Sequence, residues 1–178
     1  LSLRRQRQMC IRDSPQTMNQ DTLEIIGRRH TVAQTIEAFH LARELNYNNI
    51  NMDLIVGLPG EDISKVKYTL EKVKELSPDS LTVHSLAVKR AARLNMFKDK
   101  YQEMAFENNQ EIMDLTQQTA YSMEMGPYYL YRQKNMKGNF ENVGYAKVDK
   151  AGIYNILIME EKQSIIALGA VSYTHLRA

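Results

Sequence analysis

The sequence predicts an α/β protein whose parallel strands are covered by helices on one side and enclose an interior on the other, as in part of an α/β barrel. Three observations lead to this class. Residues 50–59, INMDLIVGLP, alternate apolar and polar side chains like a strand and run into a Gly-Leu-Pro-Gly turn. Amphipathic helices flank this strand, and a second strand follows the next helix. The strand's polar side chains, Asn51 and Asp53, share one face, which a barrel turns toward its interior.

Two helices are predicted before this strand, each starting at a capping box. The first box runs from Asp21 to Glu24, and the second runs from Thr31 to Gln34. The second helix carries apolar residues at three-to-four spacing, which are Val32, Ile36, Phe39, Ala42 and Leu45.

Asp62 is predicted to cap a third helix, which ends before Pro78, and residues 80–87 form the next strand. Strand, helix and strand with short connections make a right-handed βαβ crossover. The later predicted elements are a helix over 101–125, an aromatic strand over 128–131, a loop over 135–150, and two strands over 153–159 and 164–168.

Both ends of the chain are predicted to be non-native. Residues 1–14, LSLRRQRQMCIRDS, show no helical or strand period, and residues 171–178, VSYTHLRA, show equally little; both resemble read-through of sequencing adapters. The alternative for residues 1–14 is a basic arm for nucleic acid. The two ends carry +3 and +1 of charge, so without them the net charge falls from +2 to −2 and nucleic acid loses its main support as a partner.

Composition bounds the function. The chain has 178 residues, 43% hydrophobic and 25% charged, as in ordinary globular proteins. No apolar run approaches the ~20 residues that a membrane helix needs, so no membrane partner is expected. The one cysteine, Cys10, excludes a disulfide framework and indicates the cytoplasm. The histidines lack metal-ligand spacing, and His84 in the second strand is either a ligand of the interior or a core histidine.

A polar set is expected at one mouth of the barrel, formed by Gln16, Arg28, Asp53, Ala87 and the basic residues that follow Ala87. A guanidinium binds a carboxylate through two parallel hydrogen bonds, and an aspartate accepts hydrogen bonds from ribose hydroxyls or an amine. On spacing alone, Asp53 could equally cap a loop or pair with a nearby arginine.

Several motifs resemble the radical S-adenosylmethionine (SAM) enzymes of the oxygen-independent coproporphyrinogen III oxidase family. A later run, YYLYRQKNMKGNFENVGYA over 128–146, resembles the coproporphyrinogen dehydrogenase branch of that family. The resemblance covers residues 15–170. The other segments that carry it are Gln16, GRRHT at 27–31, NMDLIVGLPGE at 51–61 and LSPDSLTVHSLA at 76–87.

The resemblance implies a domain plan and a reaction. Residues 15–134 would be the C-terminal part of a radical SAM barrel, and residues 135–170 would begin a smaller C-terminal α+β region. In that family a cysteine triad holds a [4Fe-4S] cluster, which cleaves SAM to a deoxyadenosyl radical. The radical abstracts hydrogen from a propionate, which loses carbon dioxide and becomes a vinyl group. The implied pathway is haem biosynthesis, with a porphyrinogen as substrate and an electron donor that the resemblance does not name.

The resemblance also implies SAM contacts. Gln16 and Arg28 match residues that hold the methionine and ribose portions of SAM, and Asp53 matches the aspartate that binds the ribose. Ala87 matches a backbone contact to adenine. Leu130 falls near a further adenosyl contact, although the local sequence departs from the family's usual Glu-Ile-Ser-Asn.

One departure decides the expected activity of this chain. The cysteine triad belongs upstream of Pro15, whereas the chain has only Cys10. Three thiolates are needed to leave one iron for SAM, so we expect the full-length protein to be an enzyme and this chain alone to be inert. The basic residues expected to meet the acidic propionates, unless they are solvated loop charges, are Arg90, Arg93, Arg132 and Lys134.

Two other functions stay open at this point. A haem-trafficking paralogue of the same superfamily would keep the barrel but hand over haem. A half-barrel that binds a phosphorylated metabolite is disfavoured because the sequence has no Gly-rich phosphate loop.

Overall fold

A single five-stranded sheet, in the order β1–β2–β3–β5–β4, organises the part of the chain that the computed structural model describes, residues 11–86, 108–131 and 140–159. Helices pack on one of its faces, which confirms the predicted α/β class. The elements in chain order are β1 (Ile11–Gln16), α1 (Gln20–Ile25), α2 (Val32–Glu44), β2 (Ile50–Val56), α3 (Ile63–Leu76), β3 (Ser80–Ser85), α4 (Gln110–Ser122), β4 (Gly126–Tyr131), β5 (Asn142–Ala146) and α5 (Ile153–Met159).

The first three strands are parallel, and α3 connects β2 to β3, which confirms the predicted βαβ crossover. Alternate residues of β2 face the helices and join a core with α2 and α3. Burying each such side chain stabilises the fold by about 1.5–3 kcal/mol relative to leaving it exposed. The intervening residues, Asn51 and Asp53, therefore lie on the opposite face of the sheet. The core members from these elements are Phe39, Ile50, Met52, Leu54, Val56, Val66, Leu70 and Val73.

Helix starts follow local hydrogen bonding. Thr31 and Gln34 form the predicted capping box of α2, and Asp62 caps α3 by accepting from the Lys65 backbone N–H at 2.9 Å. The predicted cap of the first helix was wrong, because α1 begins after Asn19 and has no side-chain cap. Asp21 instead forms an ion pair with Lys65 of α3.

The predicted loop over 135–150 was wrong for its middle part, because β5 occupies Asn142–Ala146. Its Asn and Gly content favours turns, but β3 and β4 both pair with it in antiparallel register. Gly144 is needed there: a Cβ would lie 2.0 Å from the Tyr129 ring. The aromatic strand over 128–131 is confirmed as part of β4.

The predicted strand over 153–159 was also wrong, because these residues form α5. A short apolar run does not separate strand from helix by period alone, and the Ile156 N–H donates to the Gly152 carbonyl at 3.2 Å in a helical turn. The helix predicted over 101–125 is confirmed for Gln110–Ser122. Its first turns and the strand predicted over 164–168 lie outside the described residues.

The expectation that residues 1–14 hold no strand was wrong for the last four of them. β1 includes residues 11–14 and pairs with β2 in parallel register, Ile11 beside Ile50. These residues form a strand because they pair with β2. A segment of four residues is too short for its periodicity to predict that pairing. Whether these residues are native stays a prediction, as do the domain boundaries at 15–134 and 135–170.

Within the described ranges, no helix combines the length and apolar character that crossing a membrane requires.

Candidate functional site

Asp53 is the centre of a buried polar row on the sheet face away from the helices. Its side chain is 4% exposed. The Ser14 hydroxyl donates to its Oδ2 at 2.9 Å, and the Asn51 amide donates to its Oδ1 at 2.7 Å. The Thr82 hydroxyl donates to the Asn51 Oδ1 at 3.1 Å. A carboxylate accepts hydrogen bonds from hydroxyl and amine donors, which are the donors that a nucleoside ligand presents.

The row extends across the sheet by strand register. Asp53 lies beside Thr82 on β3, and Thr82 lies opposite Gly144 on β5. Gly144 is in turn opposite Tyr129 on β4, whose ring packs against it. Neighbours directly across a sheet share a face, so these four positions line one surface.

Gln16 ends β1 next to this row. Its Cα pairs with Leu54, the residue after Asp53, and the residue is 7% exposed. Its φ is +67°, a left-handed conformation that costs a non-glycine residue about 1 kcal/mol. Its Nε2 donates to the Ser14 carbonyl at 3.0 Å. The structure thus brings Gln16 and Asp53 together on adjacent strands.

Arg28 lies beyond α1, and its side chain is exposed. Its backbone N–H donates to the Leu23 carbonyl at 2.9 Å, next to Gly27 with φ +73°. Among the residues that the structure describes, no ion pair joins Arg28 to Asp53. The proposed roles of both residues stay predictions.

Leu130 lies on the other face of the sheet. It is opposite Val143 in register, and Val143 belongs to the core on the helix side. Leu130 is 54% exposed and lines a groove of about 480 Å³ between α4 and β4, with Met113 and Phe140 among the other lining residues. The structure therefore does not bring Leu130 together with Asp53. The remaining predicted site residues, Ala87, Arg90, Arg93, Arg132 and Lys134, lie outside the described residues.

Sequence reasoning missed two members of the site. Ser14 fell in the predicted leader, and Thr82 could have been found only from the register between β2 and β3. Burial raises the pKa of Asp13, and the nearby Asp53 raises it further, while His30 opposes them.

The comparisons with known proteins define the class first. Residues 11–73 match the model of the radical SAM superfamily, a range that contains Gln16, Arg28 and Asp53. The fold agrees with the solved coproporphyrinogen III oxidase HemN of Escherichia coli, a radical SAM enzyme, at a TM-score of 0.61 and 20% identity over 92% of this chain and 35% of that one. The chain therefore belongs to the radical SAM superfamily.

Within that class the predicted resemblance to coproporphyrinogen oxidase-like proteins is confirmed. The chain is 49% identical over 158 residues to the oxygen-independent coproporphyrinogen-III oxidase-like protein HemZ of Bacillus subtilis, covering 88% of this chain and 31% of the relative. It is also 36% identical over 73 residues to the heme chaperone HemW of the same organism, covering 41% of this chain and 19% of that relative. The chain spans about a third or less of these relatives' length.

The superfamily implies SAM and an iron–sulfur cluster, and the residues present fit the first of these. A buried carboxylate on one parallel strand, beside a glutamine at the end of the next, suits the hydroxyl donors of a nucleoside. The cluster does not fit this chain alone: a cubane cluster needs three thiolates besides SAM, and the chain has one cysteine. Among the described residues no three His, Cys, Asp or Glu side chains converge as metal ligands.

Proposed function

We propose that this chain is the SAM-binding part of a cytoplasmic radical SAM enzyme that oxidatively decarboxylates the propionates of coproporphyrinogen III to vinyl groups in haem biosynthesis. The observation that carries the proposal is the hydrogen-bonded Asp53 carboxylate at the edge of β2, inside the range that matches the superfamily. The 49% identity to the HemZ relative supports the choice of substrate class.

In this proposal each residue has one task toward SAM. Asp53 accepts hydrogen bonds from the ribose hydroxyls, and its Ser14 and Asn51 donors hold the carboxylate in one orientation. Gln16 and Arg28 hold the methionine and ribose portions of SAM, and a guanidinium can bind the methionine carboxylate through two parallel hydrogen bonds. Ala87 contacts adenine through its backbone, and Leu130 is the fifth contact. SAM, when bound and reduced, supplies the deoxyadenosyl radical that abstracts hydrogen.

The proposed substrate carries acidic propionates, so the cationic side chains that follow β3 and β4 in the sequence suit it. A propionate carboxylate near a loop cation gains both attraction and orientation before the reaction. The residues assigned this role are Arg90, Arg93, Arg132 and Lys134.

This chain by itself is proposed to be catalytically inert. One thiolate cannot hold a [4Fe-4S] cluster with an open iron site, so reduction of SAM has no local electron source. After anaerobic incubation with iron and sulfide, the desalted chain should hold far less than four irons per polypeptide. A stoichiometric cluster on this chain would contradict the assignment.

A second candidate, haem trafficking, is favoured by the HemW relatives, one of which is 36% identical over 73 residues. The two functions differ in one observation on the full-length protein. Haem that stays bound through purification, with no vinyl product from coproporphyrinogen III, would select the trafficking function.

SAM binding by this chain tests the shared part of both proposals. Asp53→Asn keeps the shape but removes the charge that favours ribose hydroxyl donors, and calorimetry should show a dissociation constant for SAM about tenfold or more above that of the unsubstituted chain. The matched control is Glu75→Gln, at a solvent-exposed position on α3, which should leave the constant unchanged. Equal affinity for both variants would refute the role of Asp53.

A further inference from the structure

Glu61 is a buried carboxylate that the proposed SAM contacts do not include. It follows the Gly-Leu-Pro-Gly turn after β2 and is 2% exposed. Its Oε1 accepts from the Thr17 hydroxyl at 2.5 Å and from the Asn19 amide at 3.0 Å. Both donors belong to the turn that directly follows β1, so one carboxylate joins the turns after two adjacent strands.

The same donors reach α3. The Asn19 amide also donates to the Thr69 hydroxyl at 3.1 Å and to the Lys65 carbonyl at 3.1 Å. The Thr17 and Thr69 hydroxyls lie 3.1 Å apart, and the Met18 N–H donates to Thr69 Oγ1 at 3.1 Å. Glu61, Thr17, Asn19 and Thr69, here called the Glu61 cluster, therefore tie three segments together.

Burial of this carboxylate has an energetic cost. Desolvation raises the pKa of Glu61, and the Thr17 and Asn19 donors oppose that rise. Replacing a whole buried charged network by well-packed apolar side chains is often neutral or stabilising, so stability alone does not account for this cluster. What a connected buried network provides is one defined arrangement of the segments that it joins.

The segments that the Glu61 cluster joins are those that carry the site. Thr17 directly follows Gln16, and Glu61 lies five residues after Val56, the last residue of β2. Gly57 at φ +81° and Gly60 at φ +74° have a left-handed backbone, which glycine adopts without strain. They let the turn after β2 fold back, so that the Glu61 side chain reaches the turn after β1.

We propose that Glu61 is a positioning residue for the nucleoside site: through Thr17 and Asn19 it fixes the end of β1 relative to the end of β2, and so sets the separation between Gln16 and Asp53. This inference rests on the proposed SAM-binding function. It assigns the role to a side chain that does not touch the ligand, and it predicts an effect on affinity beyond any effect on stability.

The test compares three variants of the full 178-residue chain, with SAM as the probe in calorimetry. Glu61→Leu removes the acceptor and should weaken SAM binding about tenfold, which is about 1.4 kcal/mol. Glu61→Gln keeps an acceptor oxygen for both donors and should restore affinity to within about twofold of the unsubstituted chain. Asp79→Ala, at the opposite end of the strands, should lower the melting temperature without changing the affinity.

Unchanged affinity in Glu61→Leu, or an equal loss in Glu61→Leu and Asp79→Ala, would overturn the proposal. If Glu61→Leu does not fold, Thr17→Val replaces it, since it removes the hydroxyl donor and keeps the side chain's volume. Thr17→Val should then weaken SAM binding. Unchanged affinity in this variant, or a loss equal to that in Asp79→Ala, would overturn the proposal.

Amide hydrogen exchange without ligand separates this inference from the proposed function. Glu61→Leu, or Thr17→Val, should speed exchange over residues 17–19, whereas Asp79→Ala should not. If the unsubstituted chain does not bind SAM, the proposed function fails, and the exchange result decides alone whether Glu61 fixes this turn. Unchanged exchange over residues 17–19 would overturn the inference even if SAM binds.

Discussion

The two ends of the parallel strands are built differently. At the amino end, Asp79 accepts from Arg43 at 2.6 Å and from the Ile50 N–H at 2.9 Å, and its own backbone pairs with Ile50 and Lys147. At the carboxyl end, Asp53 accepts from the Ser14 hydroxyl and the Asn51 amide, and Gln16, the last residue of β1, has a left-handed backbone.

This difference separates stability from function. At the amino end, the Asp79 carboxylate holds Arg43 of α2 and the backbone of β2, so it ties structural elements together. At the carboxyl end, Asp53 and Gln16 lie on adjacent parallel strands, at the edge of the sheet where α/β proteins bind ligands. Changes at the amino end should therefore affect folding, and changes at the carboxyl end should affect binding.

The largest expected effect is at the amino end. Asp79→Ala removes the acceptor for a buried backbone N–H and leaves the Arg43 guanidinium unpaired, so it should lower the free energy of unfolding by about 3 kcal/mol. Urea denaturation measures the loss. Asp79→Asn keeps an acceptor for the Ile50 N–H and should lose less; equal losses would show that the charge, and not the backbone contact, dominates.

A smaller loss is expected in the row that contains Asp53. Gly144→Ala places a Cβ 2.0 Å from the Tyr129 ring, and the resulting displacement should cost about 1–3 kcal/mol. The control is Gly126→Ala on β4, where no atom lies within 4 Å of the added Cβ. Thermal unfolding of the two variants should differ clearly, and equal melting temperatures would mean that Tyr129 does not pack on Gly144.

The smallest effect is a pH dependence at Glu61. Because burial raises its pKa above the usual 4.5, the folded state favours the protonated form; this contribution to stability is full below about pH 4.5 and is lost as the pH rises through the folded-state pKa. Glu61→Gln is neutral throughout, so its stability relative to the unsubstituted chain should increase from pH 4.5 to pH 7.

Stability curves for both proteins at these two pH values measure the difference. A Glu61→Gln advantage that shrinks toward pH 7 would mean that the donors outweigh the burial of the carboxylate.

Local signals predicted the parallel part of the fold. The caps at Thr31 and Asp62 and the period of residues 50–56 identified α2, α3 and β2, because hydrogen bonds and burial within each element decide them. Residues 11–14 and β5 became strands through pairing with neighbours that no local window contains. The apolar run of α5 suited either structure.

The site was predictable to a similar degree. Asp53 and Asn51 follow from a period of two along one strand, whereas Ser14 and Thr82 join them only through the alignment of three strands. The donors to Glu61 come from another turn 42 and 44 residues away, so its partners could not be predicted from its own motif.

The most direct test of the account is where SAM binds. Hydrogen exchange of the full chain with and without saturating SAM should show protection at the ends of β1 and β2, over residues 14–19 and 53–61, and no change at Asp79. Protection confined to the groove beside Leu130, or to the amino end of the strands, would contradict the placement of the nucleoside at Asp53.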